Sequence, residues 1–474
     1  MMEAMLVDTG VNGVRTTGIY CRAGCPASPA ARNVSRYSSG VAAEAAGFRP
    51  CLRCRPDRLA PANGVGRDLL GRALVLIAEG ALDADTEVVL ARRLGVSERH
   101  LRRLFLNHLG ATPGFIARSR RAHFARRLLD ETDLPMEALS LAAGFGSSRQ
   151  MNRVVSATFR FTPTQLRAKR RDADRLVSDG GLRLRMPFIG ALHFQAMLHF
   201  LGSGLIPGVE SVSGSVYRRT IVACGHTGMI EVADGDASHL QITAHLPTFT
   251  GLIDDVGRCR RMFGLDQPAE AGEVLAADPI LAPLIERRPG LRLAVGWDPF
   301  ETAARIICER DALAASGEEI AGNLATRFGD RIEGLGAHGL VAVFPPAERI
   351  ASTTVEQLAG AGLTRERAQT LWEFGKAYRI GRIRLDGSHS TEDCVGEMMG
   401  VPGVDSQLAH HIAMRGAGCL DAFPAADDSL RVAVGRLVGQ SGPMTTEELA
   451  ERASAWRPYR ALAAMYLWIT ARSA

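Results

Sequence analysis

Two segments about fifty residues apart repeat one pattern, and the repeat commits the middle of this chain to helices. "VVLARRLGVSERHLRRLFLNHLGATP" reads as an amphipathic helix, a turn at Gly95 and a second helix opened by Ser97 as N-cap. "MEALSLAAGFGSSRQMNRVVSATFRFTP" repeats it with Gly144 at the turn, and each unit finishes in a Thr-Pro pair, at Pro113 and Pro163. This is an internal duplication of helix-turn-helix units. The second helices carry Arg99, Arg102 and Arg103 in the first unit and Arg149, Gln150 and Arg153 in the second. Arg and Gln at the start of such helices can read guanine and adenine edges in the major groove. The plainer alternative is a helical bundle with a solvated basic face.

Charge separates the N-terminal third of the chain from the rest. Residues 1–175 hold 28 Arg plus Lys against 16 Asp plus Glu, or +12. The remainder holds 28 against 35, or −7. The first part therefore has the footprint of a nucleic-acid binder and the second does not. Only Lys169 and Lys376 are lysines, and arginine suits phosphate contacts. At 474 residues the chain is too long for one core. No apolar run approaches the roughly 18 residues of a membrane span. "MMEAMLVDTG" has neither the basic nor the apolar region of a secretory signal, which predicts a cytoplasmic protein.

Nine cysteines in a cytosolic chain argue against a disulfide framework. Cys224, Cys259, Cys308, Cys394 and Cys419 are scattered and read as small buried residues. The other four are clustered: Cys21 and Cys25 in "TTGIYCRAGC", Cys51 and Cys54 in "GFRPCLRCRPD". Two close pairs of thiolates are the usual donor set of tetrahedral zinc. On spacing alone the reading is a structural knuckle.

The surrounding residues say more. "VRTTGIYCRAGCPA" and "GFRPCLRCRPD" resemble the N-terminal domain of the Ada-type methylphosphotriester-repair proteins. The resemblance implies one Zn²⁺ on all four cysteines, with Cys21 accepting a methyl group from a damaged DNA phosphate. Arg22, Arg49, Arg53 and Arg55 are placed to hold the backbone. Only about 14 residues precede TTGIYC, where the family has a further helix and strand. Residues 66–171 resemble an AraC-type DNA-binding domain, which implies that its two units enter successive major grooves. "RAKRRDADR" (Arg167–Arg175) reads as a charged linker.

In the second half, "LRLRM" (Leu182–Met186), "VYRRTIV" (Val216–Val222) and "HLQITAHL" (His239–Leu246) alternate as strands. A helical pattern comes next. In element order and in "IPGVE" and "RRPGLR", this stretch is similar to the N-terminal domain of AlkA-type 3-methyladenine DNA glycosylases. Residues 297–474 resemble their helix-hairpin-helix domain, best in "VPGV" (Val401–Val404), "IAMR", "DAFPAADDSLR" and "AWRPYRALAAMYLW". The resemblance implies a catalytic carboxylate at Asp427, a pocket aromatic at Trp468, and DNA contacts at Pro402 and Gly403. By itself Asp427, beside Asp428, reads as a helix N-cap.

The chain departs from that family at several positions. Asp405 stands for the hairpin's second glycine, where Asp tolerates a left-handed backbone but opposes a phosphate. Gln407 stands for Trp, His411 for a pocket aromatic, and Glu309 and Arg310 for two glutamines at the DNA gap. With the acidic balance, these changes imply a weakened DNA grip or an altered substrate. His410 and His411 read as surface or packing residues rather than metal ligands. No lysine occupies the hairpin, so excision should be monofunctional. No Pro-Cys-His-Arg motif is present, so transfer from O6-alkylguanine is not expected.

The expected architecture is multidomain and mainly α. Residues 1–60 form a small zinc-bound α/β module and 66–171 a tandem helix-turn-helix. An α+β AlkA N-terminal-like domain spans 180–295, and an all-α helix-hairpin-helix domain spans 296–474. The implied function is an alkylation-damage response in three parts: methyl transfer to Cys21, transcription activation and removal of alkylated bases. Its partners are double-stranded DNA, at promoters and alkylated sites, and RNA polymerase, with no membrane, in a bacterial cytoplasm at the nucleoid. The competing reading is a methylation-sensing regulator whose glycosylase-like half is only a scaffold.

Overall fold

The computed structural model describes residues 10–22, 25, 31–54, 56, 69–83, 85–171, 174–176, 180–268, 270–309 and 317–472. Two compact units divide the chain: residues 1–189 with 223–226 and 238–258, and residues 190–222, 227–237 and 259–474.

The first unit begins with a four-stranded sheet of order β3-β1-β2-β4, built from β1 (Val11–Val14), β2 (Ile19–Arg22), β3 (Val34–Tyr37) and β4 (Arg49–Pro50). A strand therefore does precede the first cysteine: β1 pairs with β2, and Asn12 lies opposite Cys21. Helix α1 (Gly40–Ala45) starts at Ser39, whose hydroxyl accepts from Ala42 N at 3.1 Å.

Helix α2 (Leu69–Ala78) leads into the duplicated units. The first consists of α3 (Glu87–Arg93) and α4 (Glu98–Leu109), and the second of α6 (Met136–Ala142) and α7 (Ser148–Phe159). Gly95 and Gly144 sit at φ +71° and +75°, the left-handed region that glycine adopts freely. Ser97 and Ser147 cap α4 and α7 as N-caps. The Thr-Pro pairs do not finish the units. Thr112 caps α5 (Pro113–Glu131) and Thr162 caps α8 (Pro163–Ala168), so each pair opens the following helix with Pro in its first turn.

Helix α5 is buried around most of its circumference, and its inward polar groups are paired. Arg126 and Asp130 form an ion pair at 2.9 Å, with both side chains almost fully buried. Asp83 joins Arg120 and Arg121 at 3.2 and 2.9 Å. The segment read as a charged linker is partly fixed, because Arg170 and Arg175 both pair with Asp133.

The sheet of the second half has the order β5-β9-β8-β7-β6. Its strands are β5 (Leu182–Pro187), β6 (Glu210–Ser213), β7 (Val216–Ala223), β8 (His226–Asp236) and β9 (His239–His245). In the first unit β5 pairs antiparallel with β9, Leu184 opposite Ile242. In the second, β6 pairs with β7, and α9 (Phe194–Gly202) precedes them. Helix α10 (Leu252–Met262) succeeds β9, then come the short α11 (Ala271–Leu275) and α12 (Ala282–Arg287).

The rest of the second unit is helical: α13 (Pro299–Glu309), α14 (Gly317–Phe328), α15 (Ala347–Ala351), α16 (Val355–Ala359), α17 (Arg365–Arg379) and α18 (Thr391–Met399). Then come α19 (Ser406–Arg415), α20 (Asp428–Leu437), α21 (Thr446–Ala453) and α22 (Arg460–Arg472). Arg219 of β7, only 1% exposed, bonds Glu210 at 3.2 Å and Glu301 of α13 at 2.7 Å. That buried triad clamps sheet to helix. No helix among the described residues is long and apolar enough to cross a membrane.

Candidate metal centre, nucleic-acid interface and active site

The four clustered cysteines converge. Cys21 ends up in β2, Cys25 in the turn after it, and Cys51 and Cys54 in the turn after β4. Parallel pairing of β2 with β4 sets Tyr20 opposite Pro50 and brings the two pairs together. Their sulfurs lie within 4.8 Å of one another, and all four residues are buried.

Burial first, then the Cys51, Cys54 and Cys25 sulfurs, push the Cys21 thiol up. Cys51 is drawn down despite its own burial, by the backbone N–H groups of Cys54 and Arg53. Four sulfurs this close can ionise together only against a cation, so the donor set fits zinc. Among the described residues this is the one group of His, Cys, Asp or Glu that could hold a metal.

Of the nearby arginines, Arg22 donates to the Cys54 carbonyl and Arg49 lies over the Phe161 ring at 5.7 Å. Arg55 lies outside the described residues.

The helix-turn-helix residues split into free and engaged groups. Arg99, Arg149 and Arg153 are exposed, and so is Arg103, whose guanidinium is engaged by His100 Nδ1 at 3.3 Å. Arg102 is also exposed but bonds Glu87 at 2.7 Å, with Glu98 at 3.6 Å. Gln150, half-buried, accepts from Gly146 N at 2.9 Å, so its carbonyl oxygen closes the turn.

In the second unit, Asp427, Trp468, His411 and Gln407 come together on a cavity of about 490 Å³. Asp427 is indeed the N-cap of α20, accepting from Leu430 N at 2.9 Å. It also lines the cavity, so capping and facing the pocket are compatible. Trp468, on α22, donates through Nε1 to Asp427 at 3.2 Å. The His411 ring lies 5.2 Å from Trp468, and Phe200 of α9 lies parallel to Trp468 at 6.4 Å. Arg415, itself buried, sets its guanidinium 4.5 Å from the Phe200 centroid.

Phe200, Arg305, Arg415 and Ser429 line this cavity, and no sequence pattern singles them out. Glu309 also lines it and pairs with Arg305 at 3.3 Å, while Arg310 lies outside the described residues. His410 is a packing residue: its Nδ1 accepts from Phe423 N at 3.3 Å, and burial, then Arg460, lower its pKa.

Pro402 and Gly403 are exposed between α18 and α19. Gly403 has φ +84°, and a Cβ there would lie 2.0 Å from Thr370 Oγ1. Asp405 does not adopt the left-handed backbone expected of a glycine replacement. At φ −93° it is extended and caps α19, its Oδ1 accepting from Leu408 N at 2.9 Å. Its carboxylate serves the helix N-terminus that the hairpin leads into.

Comparison with known proteins agrees with this geometry. Residues 8–57 match the metal binding domain of Ada, residues 90–169 a helix-turn-helix domain, and residues 183–298 the AlkA N-terminal domain. DNA-3-methyladenine glycosylase 2 of Escherichia coli K12 is 25% identical over 279 residues, covering 58% of this chain and 92% of its own length. The solved 3-methyladenine DNA-glycosylase from Archaeoglobus fulgidus shares the fold, with TM-score 0.54 at 23% identity over 61% of this chain and 98% of its own. The probable bifunctional transcriptional activator/DNA repair enzyme AlkA of Mycobacterium tuberculosis is 35% identical over 467 residues, covering 97% of this chain and 92% of its own. With its four thiols as a zinc centre and its helix pair as a DNA-binding module, the chain belongs to the family of fused Ada–AlkA transcriptional activator/DNA repair proteins.

Proposed function

We propose that the chain senses alkylated DNA through Cys21, activates transcription through its helix-turn-helix pair, and excises alkylated bases such as 3-methyladenine with Asp427. The observation that carries the excision reading is Asp427 on the wall of an aromatic-lined cavity, with one carboxylate oxygen taken up by donors. An alkylated base is cationic and a good leaving group, so one carboxylate supporting the developing positive sugar suffices once the nucleotide is flipped into the cavity. Pro402 and Gly403 would offer the exposed hairpin to the DNA backbone.

In the N-terminal module, zinc keeps its coordinated thiols deprotonated at neutral pH. Cys21 Sγ attacks the methyl carbon of a phosphotriester; the S–C bond forms as the C–O bond breaks, and the phosphate regains its negative charge. One thiolate charge is lost from the module, so its repulsion for the DNA backbone falls. The modified protein then grips promoter DNA more firmly, through Arg99, Arg103, Arg149 and Arg153, and recruits RNA polymerase. The setting is the bacterial cytoplasm, at the nucleoid.

A second reading keeps the sensor but makes the glycosylase-like half a scaffold. Asp405 favours it, since a carboxylate sits where the hairpin should meet a phosphate. Base release from alkylated duplex DNA, at low and moderate salt, decides between them. Release that disappears in Asp427→Asn supports the enzyme; no release by the wild type at either salt leaves the scaffold.

A further inference from the structure

Asp427 accepts three hydrogen bonds, all on Oδ1. Leu430 N donates at 2.9 Å, Trp468 Nε1 at 3.2 Å and the Ser429 hydroxyl at 2.5 Å. An ordinary helix N-cap holds its carboxylate by the backbone donor alone, and either oxygen can take that place. Here the hydroxyl and the indole arrive from separate elements on the same oxygen. A half-turn of the carboxylate merely exchanges two equivalent oxygens, whereas any smaller rotation would strain or break all three bonds. Oδ2 therefore keeps both lone pairs for the cavity that Asp427, Ser429 and Trp468 line together.

We infer that Ser429 and Trp468 are positioning residues for Asp427: together they lock its carboxylate so that one oxygen faces the sugar of a flipped nucleotide. The inference rests on the excision reading. In that reaction the C1′–N bond breaks and its electron pair leaves with the base. Water then adds to C1′ and releases its proton to solvent. Oδ2 faces the positive charge that peaks between these events, and an electrostatic group helps only if it is already oriented when the charge develops. Tying down the indole N–H also fixes the Trp468 plane, beside which the base must stack.

Ser429 separates positioning from stability, because its side chain lies on the exposed first turn of α20 and supports no core. The experiment uses the full-length zinc-loaded protein and a duplex carrying a single 7-methylguanine, with single-turnover base release measured against enzyme concentration. Ser429→Ala should lower the maximal rate about tenfold, the weight of one hydrogen bond to a charged group, and leave half-saturation unchanged. Ser429→Thr, which restores the hydroxyl, should recover the rate to within about twofold. Trp468→Phe, which keeps a stacking ring without the N–H, should also lower the rate. A wild-type rate in Ser429→Ala overturns the inference, as does an equal loss in Ser429→Ala and Ser429→Thr. Absence of release by the wild type overturns the excision reading and this inference with it, whereas release by the wild type that Ser429→Ala leaves intact overturns the inference alone.

Discussion

Glu44 is a buried point at which the zinc module is tied to the helix-turn-helix region, alongside the Arg49–Phe161 contact, and removing it should cost the first unit much of its stability. Its side chain is 3% exposed. It accepts from Tyr20 Oη at 2.8 Å within the module, and from Ser119 Oγ at 2.7 Å and His123 Nε2 at 2.6 Å, both on α5. Burial alone would raise the Glu44 pKa; the charge and hydrogen bond of His123, with Ser119 and Tyr20, overcome it and leave the group below the ordinary glutamate value of 4.5. Glu44→Ala leaves the phenol and the Ser119 hydroxyl without their buried partner and the half-buried His123 imidazole without its carboxylate. The expected loss is about 3–5 kcal/mol, the usual range for breaking a buried ion pair from one side. Glu44→Gln keeps the shape and part of the bonding, and should lose about 1–3 kcal/mol.

The pH dependence comes from the lowered pKa. A carboxylate depressed on folding stabilises the protein above its unfolded pKa, and that contribution disappears as pH falls through the folded value. The wild type should thus lose stability below pH 4.5, and Glu44→Gln should show a flatter profile across that window. Urea denaturation of the zinc-loaded protein between pH 3 and pH 7, followed by circular dichroism and by release of zinc to a dye, reads both effects. A Glu44→Ala midpoint within about 0.5 kcal/mol of the wild type would refute the buried tie.

Other perturbations give equally definite outcomes. Gly403→Ala puts a methyl 2.0 Å from Thr370 Oγ1 at φ +84°, so it should cost about 1–3 kcal/mol and weaken binding to damaged duplex in a gel-shift titration. Burial, with help from Asp254 and against Arg258, pushes Asp255 up to about 7. Because its folded pKa is raised, its contribution is lost as pH climbs from the ordinary 3.8 through 7, so Asp255→Asn should raise Tm at pH 8 and change little at pH 4. Cys25→Ser should abolish stoichiometric zinc by metal analysis and expose the N-terminal module to protease, while base release by the second unit stays unchanged.

Legibility from sequence depends on how local the cause is. The zinc centre is written in the spacing of two short cysteine pairs, and the tandem helices in apolar periodicity with glycines at the turns. The Thr-Pro pairs mislead when proline is read as a stop, because its fixed φ and missing N–H suit the first turn of the next helix. Strand β8 escapes pattern reading because Gly228 and Gly235 interrupt its alternation, and α9 because its run "FQAMLHFLG" carries few polar residues to mark a face.

Asp427 reads as a cap from its neighbours and as a catalytic group from resemblance. It caps α20 and also faces the cavity, but the third donor, Trp468, comes from 41 residues away and no local pattern announces it. Glu44 is the extreme case. Within "GVAAEA" it looks like a solvated helix residue, and its partners on α5 lie 75 and 79 residues further on. Asp405 shows the converse: comparison with a glycine pattern suggests a strained backbone, whereas the residue's own chemistry makes an ordinary N-cap.

The most direct test of the central claim is the mass of the peptide containing Cys21 after the zinc-loaded protein meets duplex DNA with methylated backbone phosphates. A single added methyl on Cys21, with Cys25, Cys51 and Cys54 unmodified and promoter DNA bound more tightly afterwards, is the predicted result. An unmodified Cys21 beside a fully occupied zinc site would contradict the sensor and reduce the four cysteines to a structural knuckle.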